Sequence, residues 1–165
     1  METRNSQIDR NFASLLILAG GKSMRFGEDK SLNLKIGEKP LLQVLAERFG
    51  DLFAETVIIS DRPGKFNVPG TVEAVDGYPM RGPLGGIHAG LRATHTPWVL
   101  VMACDMPAVD RNTVKKLLLA ASGTDAQAVI PRHELGYEPL CAMYRSDIVG
   151  AVEKLLVQNE HRPGL

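Results

Sequence analysis

The chain has 165 residues, 44% hydrophobic and 23% charged, with 19 basic side chains balanced by 19 acidic ones. That length suits one domain able to bury roughly 68–70% of its unfolded surface without staples. Zero net charge, 5% aromatics and no apolar run near the ~18 residues of a span exclude a nucleic-acid binder and a membrane protein on composition.

Residues 1–11 are polar and lack a hydrophobic signal core, so they are expected to form a flexible tail ahead of a single domain over 12–165. Phe12 to Ala19 is an unbroken apolar run, the pattern of a central strand in a parallel sheet. Pro40 stands where a helix should begin, with Leu41, Leu42, Leu45 and Phe49 at helical spacing before Gly50. Glu55 to Ser60 is short and β-branched, a second strand, and Thr71 to Val75 a weaker third that ends at Asp76. Residues 77–86 are too rich in glycine and proline for an element. A helix through Ala93 follows, starting at Ile87 or as early as Pro83. Trp98 to Ala103 is the second unbroken apolar strand and runs into Cys104-Asp105-Met106-Pro107. Asp110 reads as the N-cap of a helix to Ala121, Ala126–Ile130 and Leu140–Tyr144 as strands, and Ser146 as the cap of a last helix, Asp147–Gln158.

Alternating strands and helices predict an α/β fold: a three-layer, Rossmann-like, mainly parallel sheet with helices on both faces. In such sheets ligands sit at the carboxyl ends of the strands. Gly20, Asp76 and Asp105 each follow a strand and are expected to line one rim. Cys104 and Cys141 lie far apart at no metal spacing, and the four histidines are scattered. Both facts suit a reducing compartment and predict a cytoplasmic protein without a zinc site.

The chemistry concentrates where the first strand ends. Leu18-Ala19-Gly20-Gly21 leads into a loop that carries Lys22, Arg25 and Lys30. Two glycines let backbone N–H groups approach an anion, and the cations neutralise it; Arg25 forks onto two oxygens and Lys30 acts as a point charge. Lys22 is expected to be solvated. A Walker loop fails because Gly27 is followed by Glu28, and the dinucleotide fingerprint fails because Lys22 stands where its second glycine belongs. Asp105 ends the most apolar strand, where a carboxylate is costly unless it meets an open rim and a partner such as Mg²⁺. A turn or cap role near Pro107 is the alternative, as an Asp-Gly turn is for Asp76.

Leu-Ala-Gly-Gly-x-Ser-x-Arg-x-Gly-x-Asp-Lys, with nine specified positions over Leu18 to Lys30, resembles the signature of the molybdenum cofactor guanylyltransferase family. Cys104-Asp105-Met106-Pro107 and Gly82-Pro83-Leu84-Gly85-Gly86 resemble its metal-aspartate segment and second signature, and the likeness runs from Leu15 to about Arg162. The resemblance implies a nucleotide-diphospho-sugar-transferase type of fold and transfer of GMP from GTP to molybdopterin or Mo-molybdopterin, with loss of pyrophosphate. It implies Mg²⁺ on Asp105 and catalytic roles for Arg25, Lys30 and Asp105. Leu18, Ala19, Gly20, Gly21, Lys30, Asp76, Gly82, Gly85 and Asp105 would bind nucleotide. Glycines at Gly20 and Gly85 are expected to leave room for a purine. Molybdoenzymes or cofactor-insertion proteins are the protein partners it suggests.

Arg132 and Glu138 lie in a segment bordering the pterin side in the resembling family; they either touch substrate or form a strand-edge salt bridge. Two departures stand out. Ser60-Asp61 lacks the asparagine often found after the second strand, and nothing follows Leu165 where family members continue, so a C-terminal segment is expected to be missing. The competing readings are cytidylyl or other nucleotidyl transfer to a different phosphorylated acceptor, and a non-catalytic GTP-binding module.

Overall fold

A computed structural model describes residues 9–19 and 35–160. The strands of its main sheet are β1 (Ala13–Leu18), β4 (Thr56–Ser60), β5 (Val72–Val75), β6 (Trp98–Ala103), β7 (Ala128–Val129) and β10 (Cys141–Arg145). Two short hairpins pair β2 (Lys35–Ile36) with β3 (Lys39–Pro40), and β8 (Arg132–His133) with β9 (Gly136–Tyr137). The helices are α1 (Leu41–Phe49), α2 (Pro83–Ala93), α3 (Arg111–Ser122) and α4 (Val149–Glu160).

The sheet order is β5-β4-β1-β6-β10-β7. The first four of these strands are parallel; β10 runs antiparallel to β6, and β7 antiparallel to β10. Alternation along β1 sorts the core into two layers. Leu15 and Ile17 face α1 and α3, in a cluster with Leu45, Phe49, Leu100, Leu118 and Met143. Leu16 and Leu18 face α2 and α4, in a cluster with Ile59, Ile87, Leu91, Val101 and Leu156. Each such aliphatic side chain, fully buried, contributes roughly 1.5–3 kcal/mol. The three-layer α/β expectation is therefore met.

Several boundaries differ from those the sequence suggests. Ahead of β1, Asp9 caps a 3₁₀ turn over Arg10–Phe12 by accepting from the Asn11 N–H at 2.9 Å, so the strand begins at Ala13 and not at Phe12. Arg10 reaches the Phe53 carbonyl, and Phe12 stacks on Trp98. Ala126–Ile130 shortens to the two residues of β7 at the sheet edge, where few ladder bonds hold it. Ser146 does not cap the last helix; it opens a 3₁₀ turn before α4, and its hydroxyl donates to the Pro97 carbonyl. Asp110 does cap α3, accepting from the Thr113 N–H at 2.7 Å. Pro83 occupies the first turn of α2, where its missing N–H costs nothing.

Candidate active site at the carboxyl edge of the sheet

The strand order fixes where a ligand belongs. From β1 the chain moves to β4 and β5 on one side, then crosses to β6 on the other. The crevice beyond the carboxyl ends of β1 and β6 is the point of reversal, the place where doubly wound sheets bind ligands. Leu18 and Ala103 are partners in register, and the Cys104 N–H donates to the Leu18 carbonyl at 3.1 Å. Ala19 and Asp105 thus flank this crevice on one edge. Leu18 and Ala19 are buried at its floor. The phosphate-loop residues Gly20, Gly21, Lys22, Arg25 and Lys30 lie outside the described residues.

Asp76 emerges on the same edge. It follows β5, and its N–H donates to the Ser60 carbonyl at 2.9 Å. Three strand spacings separate β5 from β6, about 14 Å in all. Asp76 and Asp105 therefore follow strands three places apart on the same edge. Asp76 is also a turn-former, as its sequence allowed: its Oδ1 accepts from the Tyr78 N–H at 2.8 Å. The loop beyond is strained at Met80, which adopts φ 76°, while Gly82 takes φ 63° as only a glycine does readily. A left-handed conformation at a non-glycine costs of order 1–2 kcal/mol, the kind of strain that collects at binding sites.

Gly85 corrects one expectation. A Cβ there would stand 2.6 Å from Asp76 Oδ1 and 2.8 Å from the Tyr78 carbonyl oxygen. The space beside Gly85 is filled by the Asp76 turn and is not left open for a base. Tyr78 in turn sets its ring edge-on to His88, 5.1 Å between centroids. His88 is buried, with Nε2 unbonded and 3.8 Å from Glu153 of α4.

Asp105 is exposed, and no described donor holds its carboxylate. It is not a helix cap; that role belongs to Asp110. Among the described residues no three His, Cys, Asp or Glu side chains gather as a metal cage. A single hard carboxylate at an open rim matches Mg²⁺, which takes one or two carboxylates and completes its shell with phosphate oxygens and water.

A cavity of about 310 Å³ opens directly beside Asp105. Its lining comes from the turn after β6, the first turn of α3, and the approach to β10 by way of the β8–β9 hairpin; Pro107, Thr113, His133, Glu138 and Cys141 are among its walls. Sequence reading missed it, because its residues come from separate segments and form no local motif. Burial, followed by the charge of Glu138, pushes the Cys141 thiol up, so Cys141 is a neutral wall. Arg132 and Glu138 do not pair with each other. The Arg132 guanidinium lies over the Tyr137 ring, and Glu138 stands 4.0 Å from His133.

The mostly parallel sheet is that of the nucleotide-diphospho-sugar transferases, and the chain's relatives make it a nucleotidyltransferase. A family model, the MobA-like NTP transferase domain, matches residues 15–164, and the chain belongs to that family. A probable molybdenum cofactor guanylyltransferase of Peptoclostridium acidaminophilum is 37% identical over 150 residues, 88% of this chain and 67% of the relative. The molybdenum cofactor guanylyltransferase of Syntrophotalea carbinolica is 35% identical over 150 residues, 91% of this chain and 71% of the relative. The crystal structure of molybdopterin-guanine dinucleotide biosynthesis protein A from Archaeoglobus fulgidus superposes with a TM-score of 0.72 at 25% identity, covering 88% of this chain and 74% of that one.

Proposed function

We propose that this chain transfers GMP from GTP to the terminal phosphate of molybdopterin, with or without bound molybdenum. The observation that carries the reading is the meeting of the β1 and β6 carboxyl ends, with Asp105, at the strand-order reversal of a MobA-like domain. The attacking group is a phosphate monoester whose second pKa is about 6, so its oxygen is ionised near neutral pH without a general base. That oxygen forms a bond to the α-phosphorus, the bond to the bridging oxygen breaks, and pyrophosphate leaves with the electron pair. Two anions must be brought together, so positioning and neutralisation supply most of the rate.

Each part of the edge then has a task. Asp105 holds Mg²⁺, which when bound offsets the triphosphate charge. Arg25 and Lys30 clamp phosphate oxygens. Leu18 and Ala19 lie under the phosphates, the motif assigns Gly20 and Gly21 to phosphate binding, and Asp76, Gly82 and Gly85 frame the nucleoside side. The cavity beside Asp105 suits the acceptor's ring, being mostly apolar with a carboxylate and an imidazole at hand.

The choice of guanine rests on the relatives' names, since the space at Gly85 is taken by Asp76. The test is pyrophosphate release with GTP, CTP and ATP, each with Mg²⁺ and molybdopterin. Release with GTP at least tenfold faster than with the others is expected. Faster release with CTP would make this a cytidylyltransferase, and GTP binding without release would make it a binding module.

A further inference from the structure

We propose that Arg48, on the last turn of α1, is a positioning residue for Asp105 and sets the affinity of the site for its metal ion. The inference rests on the reading of Asp105 as the metal carboxylate. Asp105 stands on a turn that the sheet supports from one side only. Upstream, the Cys104 N–H is fixed to the Leu18 carbonyl. Downstream, Pro107 has no N–H to give, and the Val109 N–H closes a weak turn onto the Met106 carbonyl at 3.4 Å.

Met106 and Val109 pack against the core beneath, and among the described residues the charged donor to that segment is one guanidinium. Arg48 Nη1 donates to the Pro107 carbonyl at 2.7 Å and to the Val109 carbonyl at 3.3 Å. These oxygens lie two and four residues beyond Asp105, so the arginine clasps the 106–109 turn that directly follows the carboxylate. Hydrogen bonds from a charged donor are about twice as strong as neutral ones.

Arg48 is itself held. Arg111, the first residue of α3, donates to the Arg48 carbonyl and makes a two-pronged pair with Asp51 at 2.7 Å on each prong. The end of α1, the 105–110 turn and the start of α3 are therefore one latch. A carboxylate that must meet a cation and a triphosphate together loses affinity when its backbone wanders, since such sites need their geometry held to a fraction of an ångström. No local motif marks Arg48, which lies 57 residues from Asp105 in sequence.

The experiment compares Arg48→Met, Arg48→Lys and Asp105→Asn with the unaltered chain. Mn²⁺ binding in the presence of a non-hydrolysable GTP analogue is followed by electron paramagnetic resonance, beside thermal melts and Mg²⁺ titrations of turnover. Arg48→Met, which keeps the length but not the donors, is expected to weaken Mn²⁺ binding and raise the Mg²⁺ half-saturation at least threefold. Arg48→Lys should recover part of that loss. Wild-type Mn²⁺ binding and Mg²⁺ half-saturation in Arg48→Met, with Asp105→Asn impaired, would overturn the role of Arg48 and leave that of Asp105 standing. Wild-type Mn²⁺ binding in Asp105→Asn would overturn the metal reading itself. Should Arg48→Met give no cooperative melt, Arg48→Lys decides: a shifted half-saturation at an unchanged melting temperature supports the role, and an unshifted one overturns it.

Discussion

The carboxylate of Asp76 occupies the position that a side chain at Gly85 would need. The two residues sit on different elements, one after β5 and one in the first turn of α2, and each fixes the other. Replacing Gly85 by alanine forces a methyl group against Asp76 and the Tyr78 carbonyl, and backbone cannot yield as a flexible side chain does. Overpacking of this kind costs about 1–3 kcal/mol. Gly85→Ala is expected to raise the KM for GTP roughly tenfold or more, read from initial rates. Gly123→Ala is the control, because its Cβ would meet only ordinary contacts at 3.7 and 4.0 Å.

Asp105→Ala is expected to abolish Mg²⁺-dependent pyrophosphate release, at least a hundredfold in kcat, while the melting temperature moves little. The side chain is exposed and no described donor binds it, and surface changes of that kind stay within about 0.5 kcal/mol. Paired activity and melting measurements separate the two effects. A turnover number near that of the unaltered chain would remove Asp105 from the chemistry.

Gly90 predicts the opposite split. A Cβ there would run into the side chain of Leu16, which is fully buried beneath α2. The clash lies in the core, away from the carboxyl edge. Gly90→Ala should lower stability by about 1–3 kcal/mol in urea titrations with little change in the KM for GTP.

The amino edge of the sheet carries a pH-dependent tie. Burial raises the Glu55 pKa, but donors outweigh it: the His95 N–H at 2.7 Å, the Ser14 hydroxyl at 2.8 Å and the His95 ring hold the carboxyl below its ordinary value. The folded pKa lies under the unfolded value near 4.3. Its contribution is therefore complete above about pH 4.3 and drains away as pH falls through the folded value. Glu55→Gln should cost about 1 kcal/mol at pH 7, and denaturant curves of the two chains should converge as the solution is acidified below pH 4.

Much of the fold was legible because β1 and β6 are buried on both faces and so read as unbroken apolar runs. The cap at Asp110 was equally plain, while the sequence leaves the start of α2 between Pro83 and Ile87 because the glycines at 85 and 86 mask the first turn. The shortness of β7, read as Ala126–Ile130, and the two small hairpins were not legible, since two-residue pairings leave no periodicity to read. At the site, Asp76 and Asp105 announced themselves by ending strands. The reason for Gly85 did not, because it depends on a neighbour nine residues away, and neither did the cavity wall at Thr113, His133 and Cys141. The phosphate-loop residues Gly20, Gly21, Arg25 and Lys30 rest on their motif.

The placement of β10 bears on how the polypeptide acquires its shape during synthesis. This strand, made of residues 141–145, is wedged between β6 and β7, both translated before it. A nascent chain on the ribosome can assemble the four parallel strands early, but must leave one flank of β6 bare until β10 emerges. That delay exposes the Trp98–Ala103 edge to unwanted pairing with other chains, so mutations that slow the docking of β10 should show first as poor yield in the cell.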